Sequence, residues 1–232
     1  MAGSVHCKKF TPAAEMPSPG KNFSQHGFTL LELMISIAIL AIFLGIGIPA
    51  ISDWIQNRQV NVLAESIANG LRLAQSEAVQ RNAPIDMVLV TSDVTAPSDP
   101  SAATLASGGT AQSDTSPNWM LRVSGDTTSA GFIQGKSAQD GSENARFTGP
   151  AGVSFSPLGR LSASITAGGV SSVPAASVVF QVVNPLVRSV AGTQRCVFVS
   201  IGGAVRVCDP RAPSGDSRAC VPTSACPVVV IP

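Results

Sequence analysis

The chain has 232 residues, 44% of them hydrophobic and 5% aromatic, and a formal net charge of +1 at neutral pH. That length suits one well-cored domain plus a non-globular element rather than two full domains, and the near-zero charge excludes a broad attraction to nucleic acid, confining any such binding to a local patch. There is no tyrosine, and the two histidines, His6 and His26, precede a long apolar run; if that leading segment is removed, histidine acid–base chemistry and histidine-ligated zinc go with it.

From Phe28 to Ile51 the sequence reads FTLLELMISIAILAIFLGIGIPAI, with Glu32 its only charged residue, a run long enough to cross a bilayer. Lys8, Lys9 and Lys21 precede it and Asp53 follows it, which places the amino terminus in the cytoplasm and the remainder outside. A secretory signal would have a shorter apolar region ending in a small-residue cleavage site. Here the run passes into an amphipathic stretch in which Ile55, Val62, Ile67, Leu71, Ala74 and Ala78 recur mostly at helical steps, interleaved with Gln56, Arg58, Asn61, Glu65, Arg72 and Glu77. Asn82-Ala83-Pro84 stops it, because proline cannot continue a helix and biases its predecessor away from helical geometry. The expectation is one helix from Phe28 to about Asn82, roughly 80 Å long. Glu32 is the oddity within it, since a carboxylate in an apolar helix must be neutralised, lifted to the headgroups or paired.

Gly27-Phe28-Thr29-Leu30-Leu31-Glu32, leading an apolar helix, resembles the type IV prepilin motif. The resemblance implies cleavage by a prepilin peptidase after Gly27, N-methylation of Phe28, and a role for Glu32 in meeting the amino terminus of a neighbouring subunit during assembly. A charge pair in low dielectric is worth forming when both charges would otherwise be stranded. Gly45, Gly47 and Pro49 are poor helix formers and resemble the helix-weakening region of pilins.

Leu73-Ala74-Gln75-Ser76-Glu77-Ala78-Val79-Gln80-Arg81-Asn82 followed by Pro84-Ile85-Asp86-Met87-Val88-Leu89-Val90 is a helix end feeding a strand, and it looks like the GspH/FimT branch of the pilin superfamily, which includes FimU-type minor pilins. Residues 91–117 are rich in Ser, Thr, Ala, Asp, Gly and Pro and read as a long loop. Strand character follows at Asn118–Val123, Gly131–Gly135, Ala145–Thr148, Val153–Ser156, Arg160–Thr166, Ala176–Val183, Arg195–Ser200 and Ala204–Cys208, in short pieces separated by Gly, Pro, Ser or Asn. The fold class is therefore α+β, a long amino-terminal helix packed on antiparallel sheets. Five segments are expected: a cleaved leader 1–27, an apolar helix 28–51, its amphipathic continuation 52–83, a β-rich domain 84–208 and a Cys/Pro-rich tail 209–232.

Cys7 lies in the leader, leaving Cys196, Cys208, Cys220 and Cys226 near the carboxyl end. An even, late cluster without histidine reads as disulfides of an oxidising compartment, with three connectivities open; against a four-cysteine zinc site stands the lack of a short C-x-x-C pair at Cys196 and Cys208. If Ile201-Gly202-Gly203 is a three-residue hairpin loop, Cys196 falls opposite Cys208, Phe198 opposite Arg206 and Ser200 opposite Ala204. Val197, Val199, Val205 and Val207 then share the core face, Cys196 and Cys208 could bridge the strands, and Cys220 and Cys226 would close a small loop in the tail.

Three functions follow from the resemblance. The first is a minor pilin that starts or caps a type IV pilus, with other major and minor pilins as partners, held in the bacterial inner membrane with its domain in the periplasm before assembly. The second is DNA capture: members of the FimT type carry a Gly-Arg-x-Arg motif, and the corresponding Gly203-Ala204-Val205-Arg206 keeps only the second arginine. Arg206, Arg211 and Arg218 are the candidate phosphate contacts, against a reading of the tail as a solubilised, disulfide-tied end. The third is a GspH-like pseudopilin of a type II secretion system. No phosphate loop, nucleophile elbow or metal-spaced ligand set points to an enzyme or a cofactor.

Overall fold

The structure, a computed structural model, describes residues 27–91, 105, 118–137, 140–166, 168–169, 171–174, 176–186, 193–221 and 226. The leader, most of the 91–117 loop and the end of the tail lie outside the described residues, as do the side chains of residues 46–50 and 53 within the helix. The chain divides into two compact units, Met1–Gly45 and Ile46–Pro232.

Helix α1 runs over Leu30–Arg81, two residues later in onset than the apolar run suggests. Thr29 precedes it, and its Oγ1 accepts the Glu32 N–H at 3.2 Å, the N-cap arrangement that satisfies one of the donors left over at a helix start. At the other end Asn82 takes a positive φ of 50°. The Ala83 N–H bonds the Ala78 carbonyl and the Asn82 N–H bonds the Val79 carbonyl, both at 3.3 Å, a Schellman-type stop built on asparagine instead of glycine, with Pro84 just beyond. In the first unit the described side chains from Phe28 to Leu44 are exposed. Among the described residues no helix is long and apolar enough to cross a membrane; the apolar run read from the sequence includes residues 46–50, whose side chains lie outside that description.

Among the described residues of the second unit ten strands follow the helix: β1 (Ile85–Val90), β2 (Asn118–Val123), β3 (Phe132–Lys136), β4 (Arg146–Thr148), β5 (Gly152–Phe155), β6 (Leu161–Ile165), β7 (Ser171–Ser172), β8 (Val178–Val183), β9 (Arg195–Val199) and β10 (Val205–Cys208). They form a six-stranded sheet in the order β3-β2-β1-β5-β6-β7 and a four-stranded sheet in the order β10-β9-β8-β4, antiparallel at every named pairing. The two-residue β7 has no sequence signature and was not expected.

One core joins helix and sheets. Val60, Leu63, Ala64, Ile67, Ala68, Leu71, Ala74 and Ala78 of α1 pack with Ile85, Met87 and Leu89 of β1, Phe155 of β5, Phe147 of β4, Phe180 and Val182 of β8, and Val197 and Val199 of β9. The helical stripe departs from its sequence reading at two positions: it starts at Val60, so Ile55 is exposed, and Val62 is only half-buried and outside the core. Small residues let the helix lie close to the sheets; a Cβ on Gly70 would come within 3.0 Å of Met87 Cε and 3.2 Å of the Trp119 ring. Trp119 Nε1–H in turn donates to Ser66 Oγ at 2.8 Å, so the one polar atom of a buried indole is satisfied from the helix.

The two sheets and the helix also meet at a polar knot. Gln75 Nε2 donates to the Gly159 carbonyl at 2.8 Å, where Gly159 sits in the β5–β6 turn, and the Leu161 N–H donates to the Ile201 carbonyl of the β9–β10 turn at 3.1 Å. Gly203, at φ 90°, lies so close that a Cβ there would strike the Gly159 carbonyl oxygen.

Gly152 faces a comparable restriction, because its Cβ would meet the Met87 carbonyl oxygen and Val88 Cα, backbone atoms that cannot swing aside. Gly152→Ala should cost about 1–3 kcal/mol in chemical denaturation of the full chain, whereas Gly168→Ala, whose Cβ would meet nothing within 4 Å, should stay within about 0.5 kcal/mol of wild type.

Candidate functional site

The amino-terminal site is assembled by a single turn. Gly27, Phe28 and Thr29 lie outside the helix and are exposed, so the Gly27–Phe28 bond sits on non-helical chain. A Cβ on Gly27 would meet nothing within 4 Å, so packing among the described residues does not require glycine there. Glu32 occupies the third helical position, its N–H capped by Thr29 and its carbonyl accepting the Ser36 hydroxyl at 2.7 Å. A carboxylate in the first turn is favoured by the partial positive charge of the helix start, so the motif places its acid where the helix itself stabilises the charge. Thr29-x-x-Glu32 is the spacing of a capping box, a signal that a search for helix starts would have found. Gly45, Gly47 and Pro49 fall inside the continuous assignment of α1.

The carboxyl-terminal site is the β9–β10 hairpin with its tail. Its register is the one the valine alternation dictates: Val199 opposite Val205, Phe198 opposite Arg206, Val197 opposite Val207 and Cys196 opposite Cys208. Val197 and Val199 are buried in the core, with Val205 and Val207 packed against it. The disulfides differ from the expected pairing. Cys196 bonds Cys226 and Cys208 bonds Cys220, so the opposed cysteines do not bridge each other, and the tail cysteines do not close a loop of their own. Each hairpin cysteine instead takes one from the tail. The reason is packing: Cys196, Cys208, Cys220 and Cys226 form a separate small core with Phe198 and Val179, on the face of the sheet turned from the main core. A short, proline-rich tail is thereby fastened over a surface that would otherwise face water. The Sγ atoms of Cys196, Cys220 and Cys226 lie within 4.8 Å of one another, but as disulfides they offer no thiolate to a metal.

The candidate arginines are spoken for by this tail to different degrees. Arg206 Nη2 donates to the carbonyls of Ser217 and Ala219 at 3.1 and 3.0 Å, clamping the segment that also forms an isolated parallel bridge, Asp209 to Ala219. Arg218 makes two bonds to Asp216, Nε to Oδ1 at 3.2 Å and Nη2 to Oδ2 at 2.8 Å. Arg211 donates its backbone N–H to Asp209 Oδ1 at 2.9 Å, and its Nη1 is buried without a hydrogen-bond partner among the described residues. Arg195, which the sequence reading did not single out as a site, pairs with Asp209 at 2.6 Å and with Arg218, Val207, Cys208 and Asp209 lines a cleft of about 150 Å³. The guanidinium of Arg218, with help from its backbone N–H, holds the half-buried Asp216 carboxyl down to about 2.

Asp86 is buried on β1 directly across from Arg122 of β2. Arg122 Nε lies 3.8 Å from Asp86 Oδ2, an ion pair inside the sheet, with no second acid placed beside it by the described contacts.

Two family models match the chain. Residues 22–48 match the prokaryotic N-terminal methylation motif, and residues 63–203, more than half of the chain, match the type II transport protein GspH. The chain belongs to the GspH family. Its residues 22–48 carry the prokaryotic methylation motif, and its α+β domain is the GspH domain. It is also similar to the type IV major fimbrial protein FimA of Dichelobacter nodosus, 43% identical over 56 residues, covering 24% of this chain and 34% of that one. It is 47% identical over 53 residues to a fimbrial protein of Moraxella nonliquefaciens, covering 23% and 34%, and 36% identical over 62 residues to the type IV major alpha-pilin of Moraxella bovis, covering 27% and 39%. The GspH-family chain thus spans little more than a third of the length of these relatives. Among solved structures it is similar to the type IV minor pilin FimU of Pseudomonas aeruginosa, at 15% identity and a TM-score of 0.41, covering 68% of this chain and 94% of that one.

Peptide mapping of the unreduced protein should return Cys196 linked to Cys226 and Cys208 linked to Cys220. Because the folded Asp216 value is depressed, its contribution is complete above the ordinary carboxylate range and fades as pH falls through about 2. A side-chain NMR titration should show that low midpoint, and Arg218→Gln should move it back up toward 3.8.

Proposed function

We propose that this chain is a minor pilin: a structural, non-catalytic subunit that, after prepilin-peptidase processing at Gly27–Phe28 and methylation of Phe28, helps initiate or cap a type IV pilus. The observation that carries the reading is the exposed, non-helical Gly27–Phe28 bond set immediately before a capped helix whose first turn holds Glu32, on a chain that continues into a GspH domain. Before assembly the apolar segment 28–51 holds the subunit in the inner membrane, amino terminus inside and domain in the periplasm. During assembly Glu32 pairs with the amino terminus of a neighbouring pilin, a partner that becomes available when cleavage creates a new amine.

The pilus is favoured over a type II secretion pseudopilus by the names of the relatives that match at 36–47% identity, all fimbrial or pilin proteins. The family model's own description supports the pseudopilin alternative. DNA capture is less well supported, since Arg206 is engaged by tail carbonyls and Arg218 by Asp216.

Deleting the gene in its host should abolish or strongly reduce surface pili while type II secretion continues; normal piliation with lost secretion would identify a pseudopilin instead. Glu32→Ala should be processed normally yet be absent from sheared filaments.

A further inference from the structure

Beyond the Gln75 knot and the core stripe, one face of α1 has no partner within the described domain. Ile51, Trp54, Ile55 and Arg58 stand at successive helical steps of three, one and three residues, which places them on one side, and all four are exposed. Trp54 is 63% exposed, an unusual state for the largest apolar side chain. Arg58 Cζ lies 5.8 Å from the centre of its ring, within cation–π range.

The face cannot turn inward to bury itself, because the neighbouring residues of the same two turns are fastened to the domain. Gln56 accepts from Asn184 Nδ2 through its carbonyl at 3.2 Å and its Oε1 at 2.7 Å. Asn57 Oδ1 accepts the Thr193 N–H at 3.0 Å, and Gln59 Oε1 accepts the Asn144 N–H and Asn184 Nδ2, each at 3.3 Å. The helix is thus keyed by amides on one side and left with an aromatic, two isoleucines and a cation on the other.

We propose that Trp54 and Arg58 form an interfacial anchor that seats the helix at the outer headgroup layer of the membrane before assembly. The proposal rests on the reading of residues 28–51 as the membrane segment. An apolar run of that length uses up the hydrocarbon thickness, so the turn that follows it, beginning three residues past Ile51, falls at the headgroups. The chemistry there suits that depth. Indole combines an apolar body with a polar N–H and concentrates at membrane–water interfaces, the isoleucines reach toward the acyl chains, and the Arg58 guanidinium meets lipid phosphate. A neighbouring subunit's helix as occupant would be dry and protein-lined, and would leave Trp54 indifferent to lipid.

The chain is suited to a direct test, since it has two tryptophans and no tyrosine, and the other tryptophan, Trp119, is 5% exposed. The full chain and Trp54→Phe are reconstituted in vesicles of phosphatidylethanolamine and phosphatidylglycerol, and the difference between their emission spectra reports Trp54 without disturbing the core. Lipids brominated near the headgroup should quench this difference signal roughly two-fold or more beyond lipids brominated near the acyl terminus, with emission shifted to the blue of its position in water. A chain that floats with the vesicles but shows a water-like, unquenched Trp54, or one quenched equally at both depths, overturns the anchor and leaves the membrane reading intact. Failure to float overturns both.

Discussion

The domain depends on how closely one helix can approach two sheets. Along Val60–Ala78 the buried face of α1 is mostly small or compact, with Ala64, Ala68, Ala74, Ala78 and Gly70 interspersed among Leu63, Ile67 and Leu71. That composition lets phenylalanines from three different strands, Phe147, Phe155 and Phe180, fill the space between helix and sheets. Burial of side chains of this size contributes about 1.5–3 kcal/mol each. The polar contacts are arranged to be compatible with that approach: Ser66 satisfies the Trp119 indole and Gln75 satisfies the Gly159 carbonyl, so the close packing strands neither group.

The same helix gives the molecule its functional asymmetry. Its first turn is capped and acidic and follows an exposed bond; its last turns are the spine of the GspH domain. At the far end of the sequence, the described part of the tail is held by two disulfides, by Arg206 and by the Asp209–Ala219 bridge. The disulfides close intervals of 30 and 12 residues, and constraining the unfolded chain in this way is worth on the order of 2–4 kcal/mol per bond. The arrangement makes Arg206 a clamp within the protein more than a free hand for an external phosphate.

Much of this was legible in the sequence, for reasons that can be named. Asn82 and Pro84 marked the helix stop because few residues tolerate positive φ and none but proline lacks the N–H. The hairpin register followed from the four valines, since a slip of one residue would have turned them to solvent. The disulfide pairing was not legible, because opposition across a ladder makes a bond feasible without making it preferred, and the alternative depended on where a proline-rich tail would lie. Ile55 was read as core because periodicity identifies a face but not where along a helix the covering sheets begin. The strand Ser171–Ser172 carries no alternation at all. Arg195, which became the partner of Asp209, is one cation among several in the sequence and is distinguished only by the fold.

The central claim is that this GspH-family chain is matured at the bond before its helix and works as a filament subunit. Mass spectrometry of the amino terminus of the protein recovered from sheared filaments tests it most directly. The account predicts a chain that begins at N-methylated Phe28, with residues 1–27 gone. Filament-associated protein that still carries those residues, or a chain cut elsewhere, would contradict it.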